Sequence, residues 1–341
     1  MSFRKAYDEL NAAQKLAVDT IDGPVLVIAG PGTGKTQLLT TRVANILDKT
    51  DTLAANILCL TFTDSGAVAM RERLTGIIGR SAYDVTISTY HAFGSDLIRR
   101  YPEYFTDSAD LKPVDDLTID TTLRSILLNL PYSNPLRHDI YLRDIKQFIS
   151  DAKRALLTPK NINQVAIANE QFLQNANKAV QKNLSDLKRL DKTAGPLFIS
   201  LASETTKLGS KPISTNVLNL QVLWQQSLEA ALQHFKLTGK TTELTSWKNN
   251  WLAKDETGKF IAAGSDQVKK LKALSLIYEL YLSELERLGL FDYDDMILRA
   301  IKGLEKHSDL RYSLQEQYLY ILLDEYQDTN EAQAHLVELL T

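Results

Sequence analysis

Three glycines, a lysine and a hydroxyl residue stand together near the start of the chain, in AGPGTGKT, residues 29–36. Glycines let backbone N–H groups converge on phosphate oxygens, a lysine reaches the terminal phosphates, and a hydroxyl can ligate Mg²⁺. The strict pattern has glycine at the first position of this segment, where Ala29 is tolerated if its φ is negative. The residues that this pattern assigns to phosphate and metal binding are Gly30, Gly32, Thr33, Gly34, Lys35 and Thr36.

A second segment could complete a phosphate site, because LYILLDEYQD, residues 319–328, is an apolar run that ends in acid. Ligands of open α/β sheets bind beyond the carboxyl ends of the strands, where Asp324 would hold Mg²⁺ through water and Glu325 would deprotonate an attacking water. Acids also end strands simply to be solvated, and the upstream loop favours the metal role. The 288 positions between Thr36 and Asp324 exceed what one domain of this kind needs, which indicates an insertion.

The flanks of the chain alternate short apolar runs with amphipathic segments. This is the pattern of a parallel sheet covered by helices on both faces. The predicted strands are residues 24–30, 56–63, 84–90 and 318–326. Between the first two, residues 36–48 put Leu39, Val43, Ile46 and Leu47 on one face of a helix.

Composition limits the class of protein. A chain of 341 residues, 44% apolar and 24% charged, fits two globular domains. No apolar run approaches the roughly 18 residues of a membrane helix, and the N-terminal residues lack the apolar core of a signal peptide, so we expect a cytoplasmic protein. The single cysteine, Cys59, lies in the apolar run NILCLTF and is predicted to be buried. Because there is only one cysteine in the sequence, a disulfide framework and a zinc cluster of cysteines are excluded.

Charge is distributed unevenly around a net value of −3. Residues 137–275 hold 21 Lys and Arg against 12 Asp and Glu, whereas the remainder holds 18 against 30. The middle is also rich in Leu, Lys, Gln and Asn with helical periodicity and no convincing strand. We therefore predict an inserted all-α domain over residues 111–275, between the two parts of an α/β domain at residues 1–110 and 276–341.

Six segments together resemble the successive N-terminal motifs of UvrD/Rep/PcrA-type superfamily 1 DNA helicases. They are LNAAQ (10–14), AGPGTGKT (29–36), LTFTDSGAVAMRERL (60–74), ISTYHAFGSDLIRR (87–100), FDYDDMILRA (291–300) and LLDEYQDTNEAQ (322–333). The resemblance implies a P-loop NTPase of the RecA-like α/β class, with ATP and Mg²⁺ as cofactors and single-stranded and junction DNA as partners. It further implies 3′ to 5′ movement and a role in DNA repair or replication.

The resemblance also implies individual roles. Gln14 matches the glutamine that reads the adenine edge, a task that suits the paired donor and acceptor of an amide. Gln327 matches the residue that couples the terminal phosphate to DNA, and Lys35, Glu325 and Gln327 form the catalytic set. The residues implied to line the path of single-stranded DNA are Thr61, Phe62, Thr63, Thr89, Tyr90 and His91. Aromatic faces in such a path stack on bases, and the basic middle would contact DNA near the duplex junction, with QVKKLK (267–272) and DLKRLDK (186–192) as candidate phosphate contacts.

This chain departs from the family pattern at several points. Asp64, Ser65 and Gly66 stand where Asn-Lys-Ala is common, so an anion replaces a cation beside the expected DNA path, and Tyr90 replaces the usual phenylalanine. No sensor segment, second RecA-like domain or arginine finger is recognised before Thr341. We therefore expect the chain to be a piece of a longer protein, nearly inactive alone, and to have a gap in its sheet where a later strand would separate the Asp-Glu strand from the phosphate-loop strand.

Two other functions remain open at this stage. The chain could be a nucleotide-gated module that binds DNA or a partner protein without unwinding. A more distant possibility is a P-loop kinase for small molecules, although such a kinase has no need of DEYQDTN.

Overall fold

A computed structural model describes residues 3–30, 32–105, 111–185, 187, 190–207 and 219–341. The chain divides into two compact units. The first unit contains Met1–Asp115, Lys153–Leu156 and Gly289–Thr341, and the second contains Asp116–Ala152 and Leu157–Leu288.

Helices dominate the described part of the chain. They are α1 (Phe3–Asp8), α2 (Ala12–Asp19), α3 (Lys35–Lys49), α4 (Asp64–Ile78), α5 (Tyr90–Arg100), α6 (Asp116–Asn129), α7 (Leu142–Arg154), α8 (Pro159–Leu184), α9 (Gly195–Thr206), α10 (Leu220–Thr238), α11 (Thr242–Trp251), α12 (Ser265–Leu288), α13 (Asp295–Lys306), α14 (Ser308–Gln317) and α15 (Glu331–Leu340). The strands are β1 (Ile57–Thr61), β2 (Thr86–Thr89), β3 (Lys112–Pro113), β4 (Leu252–Lys254), β5 (Phe260–Ala262), β6 (Leu290–Phe291) and β7 (Tyr320–Leu323).

The first unit is built on a parallel sheet with strand order β2-β1-β7. Cys59 in β1 pairs with Ile87 on one side and Leu322 on the other, so β1 is the central strand and all five of its residues are buried. Leu58 and Leu60 pack on the face covered by α5, α13 and α15, while Ile57 and Cys59 pack on the face covered by α3 and α4. Three predicted strands and the buried cysteine are therefore confirmed.

The strand predicted at residues 24–30 is wrong. Among the described residues no strand pairs with this segment, and the side chains of Leu26 and Ile28 are 76% and 92% exposed. A strand is held by hydrogen bonds to a neighbouring strand, and the sheet ends at β7 on one side and β2 on the other. An apolar run without such a neighbour has no partner for its backbone N–H and C=O groups and does not become a strand.

Helix α3 connects the glycine-rich loop to the sheet. Its predicted apolar face is confirmed, because Val43 and Ile46 are fully buried and Leu39 and Leu47 pack beside them. The Arg42 guanidinium donates to carbonyl oxygens at the end of α2, which fixes α2 against α3. These bonds satisfy helix-end carbonyls that would otherwise have no partner.

The second unit is mainly helical around a tryptophan cluster. Trp224 and Trp247 are buried, with ring centroids 4.7 Å apart and edge to face, and Trp251 lies 5.4 Å from Trp224. Trp224 and Trp247 belong to the buried core of this unit, and the partly buried Trp251 packs against it. Their edge-to-face geometry is the favourable arrangement for aromatic pairs.

The middle region is not all-α, however. An antiparallel hairpin joins β4 to β5 through a turn in which Gly258 adopts a φ of 81°. Strands of three residues are too short to show the alternation on which sequence prediction depends. The unit also ends at Leu288 instead of Ser275, because α12 continues unbroken through that position.

Two of the lysines predicted as phosphate contacts are already paired in the second unit. Lys269 lies 3.3 Å from Asp266, and Lys272 lies 2.7 Å from Glu170. In the other candidate cluster, residues 186–192, Lys188 and Arg189 lie outside the described residues. In the described part of the chain, no helix combines the length and apolar character needed to cross a membrane.

Candidate functional site

The glycine-rich loop has a backbone that its glycines make possible. Gly32 and Gly34 have φ values of 74° and 83°, in the left-handed region that favours glycine. The Thr33 hydroxyl donates to the Gly30 carbonyl oxygen over 2.7 Å, which closes the turn. Helix α3 then begins at Lys35 with Gly34 as its N-cap and no side-chain cap. Its first N–H groups are therefore available to an anion.

The acidic end of β7 lies beside the central strand. The Asp324 N–H donates to the Leu60 carbonyl oxygen over 2.9 Å, and one Asp324 carboxylate oxygen accepts from the Glu325 N–H over 3.1 Å. Asp324 is only 8% exposed. Burial, and then the negative charge of Glu325, raise the pKa of the Asp324 carboxyl above its ordinary value. A cation beside this carboxylate would offset both effects.

The loop and the acidic segment meet through one ion pair. Lys35 Nζ lies 3.0 Å from Glu325 Oε2, although 290 positions separate the two residues. The Gln327 amide donates to the same Glu325 oxygen. The hydrogen bond from Gln327, followed by that from Lys35, lowers the pKa of Glu325. The predicted catalytic set of Lys35, Glu325 and Gln327 is thus brought together.

Glu325 also has an unusual backbone. Its φ of 51° lies in the left-handed region, which few residues other than glycine adopt. Strain of this kind persists where the surroundings hold it in place, and it is concentrated at functional sites. Here the Glu325 carboxylate is held by Lys35 and Gln327 from opposite segments of the chain.

The donor set fits a nucleotide with Mg²⁺. An ammonium at Lys35 and the free N–H groups at the start of α3 suit phosphate oxygens. Thr36, in the first turn of α3, offers a hydroxyl, and Asp324 offers an oxygen ligand of the kind that Mg²⁺ prefers. The fit rests on this chemistry and on the left-handed glycines that open the loop.

Gln14, predicted to read the adenine edge, lies against the loop. Its amide nitrogen donates to the Thr33 carbonyl oxygen over 3.0 Å, and its amide oxygen accepts from the Asn11 N–H over 2.9 Å in the capping box of α2. Both ends of the amide are therefore engaged. The amide keeps a second N–H and a second oxygen lone pair with which it could pair with a base.

The segments predicted to line a DNA path occupy the carboxyl ends of β1 and β2. Thr61 and Thr89 are buried, and Phe62 is 43% exposed. Thr63 and Thr89 act as N-caps, because their hydroxyls accept from the Gly66 N–H of α4 and the Ala92 N–H of α5. These hydroxyls therefore have structural partners already.

Tyr90 does not present a stacking face. Its ring is 1% exposed and packs with Leu58, Leu60 and Phe93 in the core of the first unit. The reason is its position as the first residue of α5, on the side that faces the sheet. Stacking of Tyr90 on a base, expected from the sequence, is incompatible with this burial. Its hydroxyl is buried and has no hydrogen-bond partner among the described residues.

A different tyrosine is exposed to solvent. Tyr293 is 59% exposed and stacks on the half-buried His91 ring, with centroids 3.8 Å apart and an angle of 22° between planes. Burial lowers the pKa of the His91 imidazole and so favours the uncharged ring. Sequence reasoning missed Tyr293 as a site residue. The available signal was its place in FDYDDM, one of the segments that carries the family resemblance.

Comparison with known proteins identifies the family of the chain. Residues 10–212 and 198–341 match the family model described as the UvrD/REP helicase N-terminal domain. The chain is 24% identical over 341 residues to the ATP-dependent DNA helicase PcrA of Leuconostoc citreum, covering 100% of the chain and 32% of that protein. It is 35% identical over 157 residues to the same-named protein of Bacillus subtilis (strain 168), covering 46% of the chain and 21% of that protein.

A third relative, the ATP-dependent DNA helicase PcrA of Staphylococcus aureus (strain Mu50 / ATCC 700699), is 24% identical over 333 residues, which cover 98% of the chain and 32% of the relative. The chain thus spans about a third of the length of the relatives that it matches from end to end. Because the family model covers nearly all of its residues, this chain belongs to the UvrD/REP helicase N-terminal domain family.

Proposed function

We propose that the chain is the ATP-binding N-terminal part of an ATP-dependent DNA helicase or translocase. The observation that carries the proposal is the 3.0 Å contact between Lys35 and Glu325. It joins a loop suited to phosphate with an acid suited to activating water, and the two lie at opposite ends of the sequence. The names of the relatives, each an ATP-dependent DNA helicase, support the same function.

In this proposal the loop holds the nucleotide. Gly30, Gly32, Thr33 and Gly34 surround the phosphates with N–H groups, and Lys35 leaves Glu325 to neutralise the terminal phosphate. Mg²⁺, when bound by Thr36 and Asp324, supplies positive charge against the phosphate oxygens. Gln14 then pairs with the adenine edge.

Glu325 acts as the general base. While it is bonded to Lys35 and Gln327, its lowered pKa makes it a poor proton acceptor. Departure of Lys35 removes a hydrogen bond and a positive charge, so the basicity of the carboxylate rises when nucleotide is present. Gln327 remains in contact with Glu325 and can report that change to neighbouring segments.

The DNA face is proposed to contain Phe62, His91 and Tyr293. Phe62 and Tyr293 are exposed aromatics, and His91 supports the Tyr293 ring by stacking. Exposed aromatic rings stack on unpaired bases of any sequence. Movement in the 3′ to 5′ direction and a role in repair or replication follow from the family resemblance and belong to the protein that contains this chain.

The first test is ATP hydrolysis by the longest natural polypeptide that contains these residues, with and without single-stranded DNA. We expect stimulation by DNA, lost in Lys35→Ala because phosphate is no longer neutralised. Nucleotide binding without DNA-stimulated turnover would instead identify a nucleotide-gated binding module. Stimulation by a small metabolite in place of DNA would identify a kinase.

A further inference from the structure

The segment around Tyr293 is held by two buried or half-buried cations. Lys153 Nζ lies 2.6 Å from Asp292 Oδ2 and 2.7 Å from Asp295 Oδ1, and the Lys153 side chain is 0% exposed. Next to it, Arg154 Nε donates to Asp294 over 3.1 Å. All three aspartates of the sequence Asp-Tyr-Asp-Asp are therefore bonded to Lys153 or Arg154, and the tyrosine projects outward.

The same carboxylates fix the backbone on both sides of Tyr293. The Asp292 N–H donates to Asp295 Oδ2, and the Asp295 N–H donates to Asp292 Oδ1, each over 3.1 Å. This reciprocal pair fixes the turn that leads into α13. Since Lys153 bonds the remaining oxygen of each carboxylate, it completes a closed network that encloses the Tyr293 backbone.

The other half of the stack is fixed independently. His91 lies in the first turn of α5, and Gly94, one turn later, packs so closely on α13 that an added Cβ would lie 2.9 Å from the Met296 carbonyl oxygen. The α5 backbone is therefore held at a set distance from α13. What remains variable in the His91–Tyr293 stack is the conformation of residues 292–295.

Stability alone does not account for a fully buried ammonium. The desolvation of a buried ion pair consumes most of its attraction, so an apolar replacement of the whole set is often neutral or stabilising. A closed network of charge-assisted hydrogen bonds does, however, restrict geometry. The stack above it depends on geometry, because an exposed ring otherwise samples several rotamers.

We propose that Lys153 is a positioning residue, which holds Tyr293 against His91 and so sets the affinity of the chain for single-stranded DNA. The inference rests on the proposed function, because it assigns the stack to the DNA face. Lys153 itself touches neither DNA nor nucleotide. Loss of its ammonium would let residues 292–295 relax and release the Tyr293 ring.

The test compares Lys153→Met, Tyr293→Ala and the double variant in the full natural polypeptide. Affinity for a fluorescent oligothymidylate is measured by anisotropy, and ATP hydrolysis is titrated with the same DNA. We expect each single variant to weaken DNA binding by about tenfold, with the double variant no weaker than Tyr293→Ala. The DNA concentration for half-maximal stimulation should rise, while the rate at saturating DNA is retained.

The matched control is Lys146→Met. Lys146 also bonds two aspartates, Asp116 and Asp120, but it is partly exposed and belongs to the second unit. We expect this variant to bind DNA like the wild type. If Lys153→Met fails to fold, it is replaced by Asp295→Asn, which keeps the shape of the side chain and weakens the ion pair. The same effects on DNA affinity are then expected, alone and combined with Tyr293→Ala.

The possible outcomes distinguish a failure of the proposed function from a failure of the positioning role of Lys153. Wild-type protein that does not bind single-stranded DNA would overturn the proposed function itself. DNA binding that is weakened by Tyr293→Ala but unchanged by Lys153→Met, or losses that add in the double variant, would overturn only the positioning role of Lys153.

Discussion

Lys35 Nζ and Glu325 Oε2 lie 3.0 Å apart, so the cation expected to hold phosphate is bonded to the acid expected to activate water. Both side chains are about one-third exposed, so the pair itself adds little stability. The pair matters because each side chain holds the other in place. In this conformation neither group is available for its proposed task, and a nucleotide that recruits Lys35 would free both.

Replacement of the acid tests this relationship. Glu325→Gln keeps the shape and the contact with Gln327 but removes the negative charge that holds Lys35. We expect ATP binding to be retained and DNA-stimulated hydrolysis to be abolished, because an amide cannot accept the proton. Binding of a fluorescent ATP analogue and steady-state hydrolysis are the measurements. The control is Glu316→Gln, on the exposed face of α14. Undiminished ATP hydrolysis by Glu325→Gln would contradict the assignment of Glu325 as the general base.

Phe62 should contribute directly to DNA affinity. The ring follows β1 and is 43% exposed, so Phe62→Ala removes a stacking surface without opening the core. Stacking of about 1–3 kcal/mol per base corresponds to a weakening of roughly 5- to 150-fold for a single-stranded oligonucleotide. Tyr83→Ala removes an exposed ring elsewhere in the first unit and should have no effect. Equal affinities for the Phe62 variant and the wild type would remove this residue from the DNA face.

Tyr90→Phe should make the protein more stable. Burial raises the pKa of the Tyr90 hydroxyl to about 12, and in the part of the chain that the structure describes this hydroxyl has no hydrogen-bond partner. Deleting it removes a desolvation cost of about 1–3 kcal/mol, so the melting temperature should rise. Tyr7→Phe is the opposite control, because the Tyr7 hydroxyl donates to Asp19 Oδ2 over 2.5 Å. A lower melting temperature for Tyr90→Phe would reveal an interaction of this hydroxyl.

His335 gives the stability a pH dependence. Its two ring nitrogens lie 2.9 Å from Glu305 and 3.2 Å from Glu338. Partial burial opposes the charged imidazole, but the bonds to the two carboxylates outweigh it and raise the His335 pKa above its ordinary value. The stabilisation is therefore fully present below about pH 6.5, the unfolded value, and is lost as the pH rises through the folded pKa.

Melting temperatures between pH 6 and pH 8 measure this effect. His335→Gln should lower the melting temperature more at pH 6 than at pH 8, whereas His138→Gln, at an exposed position, should lower it at neither. A difference between the His335 variant and the wild type that stays constant across the range would show that protonation of His335 is not linked to folding.

Local patterns were sufficient for part of the molecule. The types and spacing of the glycines, lysine and hydroxyl residue in residues 29–36 indicate phosphate chemistry. The apolar runs of the sequence also predicted β1, which is buried throughout, and β2 and β7, which are buried in part. The face formed by Leu39, Val43, Ile46 and Leu47 follows from helical periodicity alone. These features depend on residues close together in the chain.

The tertiary structure decided what depends on distant neighbours. Residues 24–30 have the composition of a strand but no strand to pair with, and Tyr90 has an aromatic face but lies on the side of α5 that packs on the sheet. Lys153 was not singled out, because its two aspartates follow it by 139 and 142 positions. The sequence by itself determined which chemical groups the chain carries and which segments can be helix or strand. Which of those groups meet, which are buried and which remain exposed was decided only by packing, since burial and ion pairing are set by neighbours that are remote in sequence.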